Sequence, residues 1–126
     1  MQQIIILDMG DKFATAGSER SDIYLKEAAI HARNIAKKYN CVIIWMSQLS
    51  AEAEGKINVN QSMLEGSKTG KAAEADLMLL ISKNPDIEGQ DSNDPQRHIR
   101  LAKNKLTGWH GTVHVELDVE TGRYSA

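Results

Sequence analysis

Three short apolar runs constrain this chain more than any other feature. They are Ile4-Ile5-Ile6-Leu7, Cys41-Val42-Ile43-Ile44-Trp45-Met46 and Leu77-Met78-Leu79-Leu80-Ile81. None alternates polar with apolar. A strand that is apolar on both sides needs cover on both sides, as in the middle of a parallel sheet. Parallel neighbours need a crossover, usually a helix. Residues 22–39 supply one, because Leu25, Ala28, Ala29, Ala32, Ile35, Ala36 and Tyr39 fall on one helical stripe. Ser21 or Asp22 can cap its start, and Asn40 can end it. Ile23 and Ile30 lie on the opposite side. A solvated face with two stray isoleucines is the simpler reading there, and a contact with a neighbouring subunit the sharper one.

The second half changes character. Residues 97–103 and 112–118 alternate, with Ile99 and Leu101, then Val113, Val115 and Leu117, facing inward. Glu120-Thr121-Gly122 reads as a turn into a last short strand at Arg123-Tyr124. Strands of this kind are antiparallel with one wet face. Residues 49–74 form a long polar connection, and residues 84–96 hold both prolines and four acids, which reads as a solvated loop. The expected fold class is therefore α/β, a parallel sheet core with a flanking helix and a C-terminal antiparallel hairpin edge. No repeat or linker divides residues 1–126, so a single domain, or part of one, is expected.

Composition removes several functional classes. The formal net charge is −2, so any nucleic-acid binding must come from a local patch. Cys41 is the only cysteine, which excludes an internal disulfide and a multi-cysteine zinc site, and fits a cytoplasmic location. His31, His98, His110 and His114 are read as no zinc set. No apolar run approaches the roughly 20 residues of a membrane helix. Asp8 interrupts the apolar start, so no signal peptide is expected.

A few residues stand where chemistry is done. Asp8 follows a strand of the buried type, and in open α/β sheets ligands bind outside such strand ends. A carboxylate there can hold Mg²⁺ through water at a nucleoside-triphosphate site, although an Asp after a strand also simply opens a turn. Ser47-Gln48 ends the next strand. A Gln both donates and accepts, so it can orient water or sense a phosphate, or merely end the strand. The stretch Glu65-Gly66-Ser67-Lys68-Thr69-Gly70-Lys71 invites a phosphate-loop reading and fails it. Only three residues separate Gly66 from Gly70, Ala72 follows Lys71, and the stretch precedes a strand. It reads as a flexible basic loop able to close on a phosphate backbone, or as a plain surface loop. From Arg97 to His110 there are four cations, two histidines and no acid, with Lys103-Asn104-Lys105 at a strand end before Gly108.

The order of these pieces resembles the second half of a RecA-like (P-loop NTPase) ATPase domain. The resemblance is to hexameric replicative DNA helicases of the DnaB type, closest to bacteriophage forms, and runs from Ile4 to Tyr124. It implies that Asp8 is the Walker B carboxylate near the metal, holding Mg²⁺ through water. It implies that Gln48 senses the γ-phosphate. Leu64 to Lys71 resembles the central-channel loop that grips single-stranded DNA, which makes Gly66, Ser67, Lys68, Gly70 and Lys71 the DNA-binding set. Lys103 and Lys105 resemble the basic pair that reaches the neighbouring subunit's nucleotide, with Lys105 where the family usually has arginine. The implied cofactors are ATP or another nucleoside triphosphate and Mg²⁺. The implied partners are single-stranded DNA and further copies of the chain in a hexameric ring. No Gly-x-x-x-x-Gly-Lys-Ser/Thr occurs, and the family's phosphate cradle and catalytic glutamate would precede residue 1. The resemblance thus implies a partial domain, a fragment or one piece of a split gene, inactive as an ATPase by itself. Two other readings stand beside it: a non-enzymatic RecA-like module for DNA binding or assembly, and a fragment of a recombinase. The Lys-Asn-Lys-x-x-Gly hairpin and the Leu64–Asp76 stretch favour the helicase.

Overall fold

The computed structural model describes residues 2–14, 21–64, 70–86 and 93–126. In chain order the elements are β1 (Ile4–Leu7), a 3-10 helix (Gly10–Ala14), α1 (Ser21–Tyr39) and β2 (Val42–Trp45). Short 3-10 turns at Ala51–Ala53 and Gln61–Met63 lead to α2 (Lys71–Glu74). The chain finishes with β3 (Leu77–Lys83), β4 (Gln96–Asn104), β5 (Gly111–Asp118) and β6 (Arg123–Ser125). These pack as two compact units, Met1–Ser50 with Leu64–Ala75, and Ala51–Met63 with Asp76–Ala126.

The first unit holds the expected β-α-β crossover. β1 and β2 run parallel, in register from Ile4 opposite Val42 to Leu7 opposite Trp45. Between them α1 is rich in alanine, the strongest helix former. Its stripe packs inward, with Leu25 and Ala29 buried. The helix ends as the sequence suggested. Asn40 takes φ 49°, and the Cys41 N–H reaches back to the Ala36 carbonyl at 3.0 Å. That six-residue closure needs a left-handed residue, and Asn tolerates that conformation better than most. Cys41 is buried at the start of the next strand. Ile23 and Ile30 are exposed, as their face implied, and so is Tyr39, beyond the packed stretch of the stripe.

The cover expected over both faces of this sheet is not found. Ile4 and Ile6 are 63% and 62% exposed, and Val42, Ile44 and Met46 are exposed too. The unit offers two strands and one long helix, and a two-stranded sheet cannot shield both of its own faces.

The second unit is a four-stranded antiparallel sheet in the order β3-β4-β5-β6. This corrects the reading of the third apolar run, which was expected in the parallel core. Leu79 stands opposite Leu101 and Ile81 opposite Ile99, in an antiparallel ladder with a register shift between Met78 and Leu79. An apolar run reports that both faces are apolar; the direction of the neighbour is set by the connection. Here the connection from β3 to β4 carries two prolines and no described helix, and antiparallel strands need no crossover.

The inward face is also corrected. Leu79, Ile81 and Val113, on the apolar face, remain about half exposed. The opposite face is the covered one, because the segment after Ala53 lies along it. The Ser82 hydroxyl donates to the Ile57 carbonyl at 2.7 Å, and Arg100 Nη1 donates to the Val59 carbonyl at 3.0 Å. Gln61 Nε2 donates to the Ala102 carbonyl at 2.9 Å. Val59 is the most buried large side chain described, at 1% exposure. Among the described residues no helix is long and apolar enough to cross a membrane.

Candidate functional site

Parallel strands end side by side, so the residues that follow β1 and β2 share one edge of the first unit. The ladder continues past the strands, with Met46 N–H donating to the Leu7 carbonyl and Gly10 N–H to the Met46 carbonyl, both at 3.0 Å. Asp8 and Gln48 leave this edge exposed to solvent. The two residues picked for metal and phosphate thus emerge from paired strand ends.

Beside them lies a cluster that sequence reasoning missed. Lys71 is buried, and its ammonium donates to both oxygens of Asp11, at 2.8 and 3.0 Å. It also donates to the Ser47 hydroxyl at 2.8 Å. Ser47 passes its own proton on, donating to Asp11 Oδ2 at 2.5 Å, while the Trp45 indole N–H donates to Asp11 Oδ1 at 2.9 Å. Every donor in the group points at one carboxylate. Burial pulls the Asp11 pKa upward, but the bonds from Lys71, Ser47 and Trp45 outweigh it and hold the carboxyl below its ordinary 3.8. Asp11 therefore stays ionised at neutral pH. Gly10 makes the arrangement possible, since a Cβ there would collide with the Trp45 indole. The sequence signal was present as a second acid three residues after Asp8, but nothing along the chain pairs it with Lys71.

Lys71 is the main correction among the proposed DNA contacts. Expected in an exposed basic loop, it turns inward, because a charge so close to a half-buried carboxylate is worth more paired than solvated. Gly70 precedes it at φ 77°, a left-handed entry to α2 that favours glycine. At the far end of α2, Arg33 Nη1 donates to the Glu74 carbonyl at 2.8 Å, and its Nε lies 3.9 Å from Glu74 Oε2. Cationic links thus hold both ends of this short helix. Gly66, Ser67 and Lys68 lie outside the described residues.

Lys103 and Lys105 belong to the second unit. Lys105 is exposed just past β4, its backbone N–H bonded to the Asp76 carbonyl at 2.9 Å, while Lys103 is half-buried in the strand. The buried Asn104 between them builds the turn. Its Oδ1 accepts from the N–H groups of Leu106 and Thr107 at 3.0 and 3.2 Å. Its Nδ2 donates to Thr107 Oγ1 and the Trp109 carbonyl at 2.6 and 3.2 Å. A side chain that satisfies four groups fixes the turn that presents Lys105.

The histidines also need a correction. His110 and His114 stand four apart, the spacing by which a helix aims two imidazoles at one metal, but β5 is a strand. His114 meets His98 instead, across the β4–β5 ladder. Among the described residues no three His, Cys, Asp or Glu side chains converge.

No family model matches the chain, and a search of curated proteins finds no match. Solved structures do match. Against the ATPase domain of a phage protein the TM-score is 0.81 at 18% identity, covering 98% of this chain and 44% of that one. Against a DnaB-like replicative helicase, solved for its interactions with primase, it is 0.80 at 19% identity, covering 98% of this chain and 30% of that one. The chain thus spans less than half the length of the structures it matches. Identity this low speaks for the backbone: over nearly its whole length, this chain has the fold found within DnaB-like replicative helicase ATPase domains.

Proposed function

We propose that this chain is part of an ATP-driven replicative DNA helicase that moves on single-stranded DNA as ring-forming subunits hydrolyse in turn. The observation that carries the reading is the pair of parallel strand ends presenting Asp8 and Gln48, within a fold shared with helicase ATPase domains. Asp8 would hold Mg²⁺ through water, and Gln48 would sense the γ-phosphate. Lys103 and Lys105 would reach a neighbouring subunit's nucleotide. Lys105 is a point charge where an arginine would offer a planar fork. Gly66, Ser67, Lys68 and Gly70 would follow the DNA backbone, tracking phosphates without reading bases. Lys71 serves better as the buried foot of that segment than as a phosphate contact. ATP, Mg²⁺, a hexameric ring and a cytoplasmic location belong to the same proposal.

The test is single-stranded-DNA-stimulated ATP hydrolysis by the protein that carries this chain. Asp8→Ala should lower turnover about 10–100-fold, the range for loss of an outer-sphere metal partner. Gln48→Ala should uncouple hydrolysis from DNA. Full turnover in Asp8→Ala would overturn the reading.

A further inference from the structure

The second unit carries a directed chain of side chains that the helicase reading does not use. His98 and His114 are register partners on β4 and β5, on the face that also carries Ser82 and Arg100. Their Nδ1 atoms are 2.7 Å apart, and the rings meet edge to face with centroids 4.9 Å apart. His98 Nε2 lies 2.8 Å from Asn84 Oδ1, and Asn84 Nδ2 donates to Asp94 Oδ2 at 2.7 Å.

The network assigns the protons. Asp94 Oδ2 accepts, so Asn84 must turn its amide N–H₂ there and its oxygen towards His98. An amide oxygen only accepts, so His98 Nε2 carries the hydrogen. Neutral His98 then has a lone pair on Nδ1, aimed at His114. The Asn84 amide, and next the Gln96 N–H, hold the Asp94 carboxyl below its ordinary value, so the chain ends on a negative charge. A histidine whose second nitrogen is tied through N–H to such a partner is oriented and made more basic, which is how metal-ligating histidines are supported. His98 itself is 8% exposed, whereas His114 is open to solvent.

We propose that His98 and His114 form a two-imidazole site for a late first-row divalent cation such as Zn²⁺, bound through both Nδ1 atoms with water completing the shell. Two nitrogens at 2.0–2.1 Å from a tetrahedral Zn²⁺ lie about 3.4 Å apart, so the rings need part by only about 0.6 Å. The exposed His114 can make that move. Binding shifts the His114 proton from Nδ1 to Nε2 by exchange with water, leaving both rings neutral and no net proton released. The nearby cations do not occupy the site: Arg100 is turned to the Val59 carbonyl and Arg97 to the carbonyls of Asp94 and Gln96. Glu116 stands two residues from His114 on the same face and adds a favourable charge.

The experiment is a Zn²⁺ titration of the full chain, followed by calorimetry and by imidazole ¹⁵N resonances. One Zn²⁺ per chain is expected, with the Nδ1 resonances of His98 and His114 shifting and those of His31 and His110 unchanged. His114→Gln should weaken binding at least tenfold, and Asn84→Ala, a positioning change, about 10–100-fold. His110→Gln should change it less than twofold. His98 is buried, so His98→Gln could unfold the sheet; the exposed His114→Gln keeps the result decisive. No binding up to millimolar Zn²⁺ would overturn the proposal, as would undiminished affinity in His114→Gln. Equal losses in His110→Gln and His114→Gln with His98 resonances unmoved would also overturn it, by assigning the metal to the four-apart pair.

Discussion

Replacing Lys71 by methionine should destabilise the first unit by about 2–3 kcal/mol. The side chains of Lys71 and Asp11 are 6% and 17% exposed. Stranding one partner of a fully buried pair costs about 3–5 kcal/mol. Asp11 keeps the donors of Ser47 and Trp45, and a hydrogen bond to a charged group is worth about 1.5–3 kcal/mol, so the loss falls below the full figure. Methionine retains most of the buried stem, which confines the change to the charge. Urea unfolding read by Trp45 fluorescence, in a Trp109→Phe background, measures it locally because the indole donates to Asp11 itself. A double-mutant cycle with Asp11→Ala should return a coupling of about 1–2 kcal/mol. The pH dependence has a fixed sign. The folded Asp11 pKa is lowered, so its contribution is complete above the unfolded carboxylate value and is lost as pH falls through the folded one, below 3.8. Without Lys71 the folded pKa rises, and acid unfolding should begin at higher pH. A cost under about 0.5 kcal/mol with no coupling would refute the buried-foot assignment, and Lys71 would return to the DNA-contact set.

Further outcomes follow from other contacts. Gly10→Ala should cost about 1–3 kcal/mol by pushing the Trp45 indole off Asp11, seen as a shift in Trp45 emission. Asn104→Ala should cost about 2–3 kcal/mol, since one side chain serves four turn groups; faster amide exchange at Leu106 and Thr107 would localise the effect. Lys105 is exposed and its turn bond is made by backbone, so Lys105→Ala should leave stability within about 0.5 kcal/mol. In the protein that carries this chain, Lys105→Ala should cut ATP hydrolysis while DNA binding survives, and Lys105→Arg should preserve or raise it. Loss of DNA binding with DNA-independent hydrolysis intact would move the turn into the DNA channel instead. The chain alone should show no Mg²⁺-dependent ATP hydrolysis; turnover that vanishes in Asp8→Ala would contradict this.

Local chemistry was legible along the chain because it is local. The stripe from Leu25 to Ala36, the Asn40 stop and the parallel pairing of 4–7 with 42–45 all follow from side chains a turn or a crossover apart. So did the alternation of β4 and β5, and the resemblance that the shared fold now supports. What the linear sequence did not reveal depends on which distant segments meet. Leu77–Ile81 is apolar enough for a parallel core, yet its partner is β4, because the 84–95 connection returns the chain antiparallel. The face read as inward stays half exposed, because Val59 and its neighbours cover the other side. Lys71 reads as a basic-loop residue until Asp11, sixty positions earlier, draws it in. His98 and His114 share no sequence motif; the β4–β5 register alone brings their nitrogens together. In each case the deciding energy is a long-range pairing of charges, hydrogen-bonding groups or surfaces, and only the folded chain sets those distances.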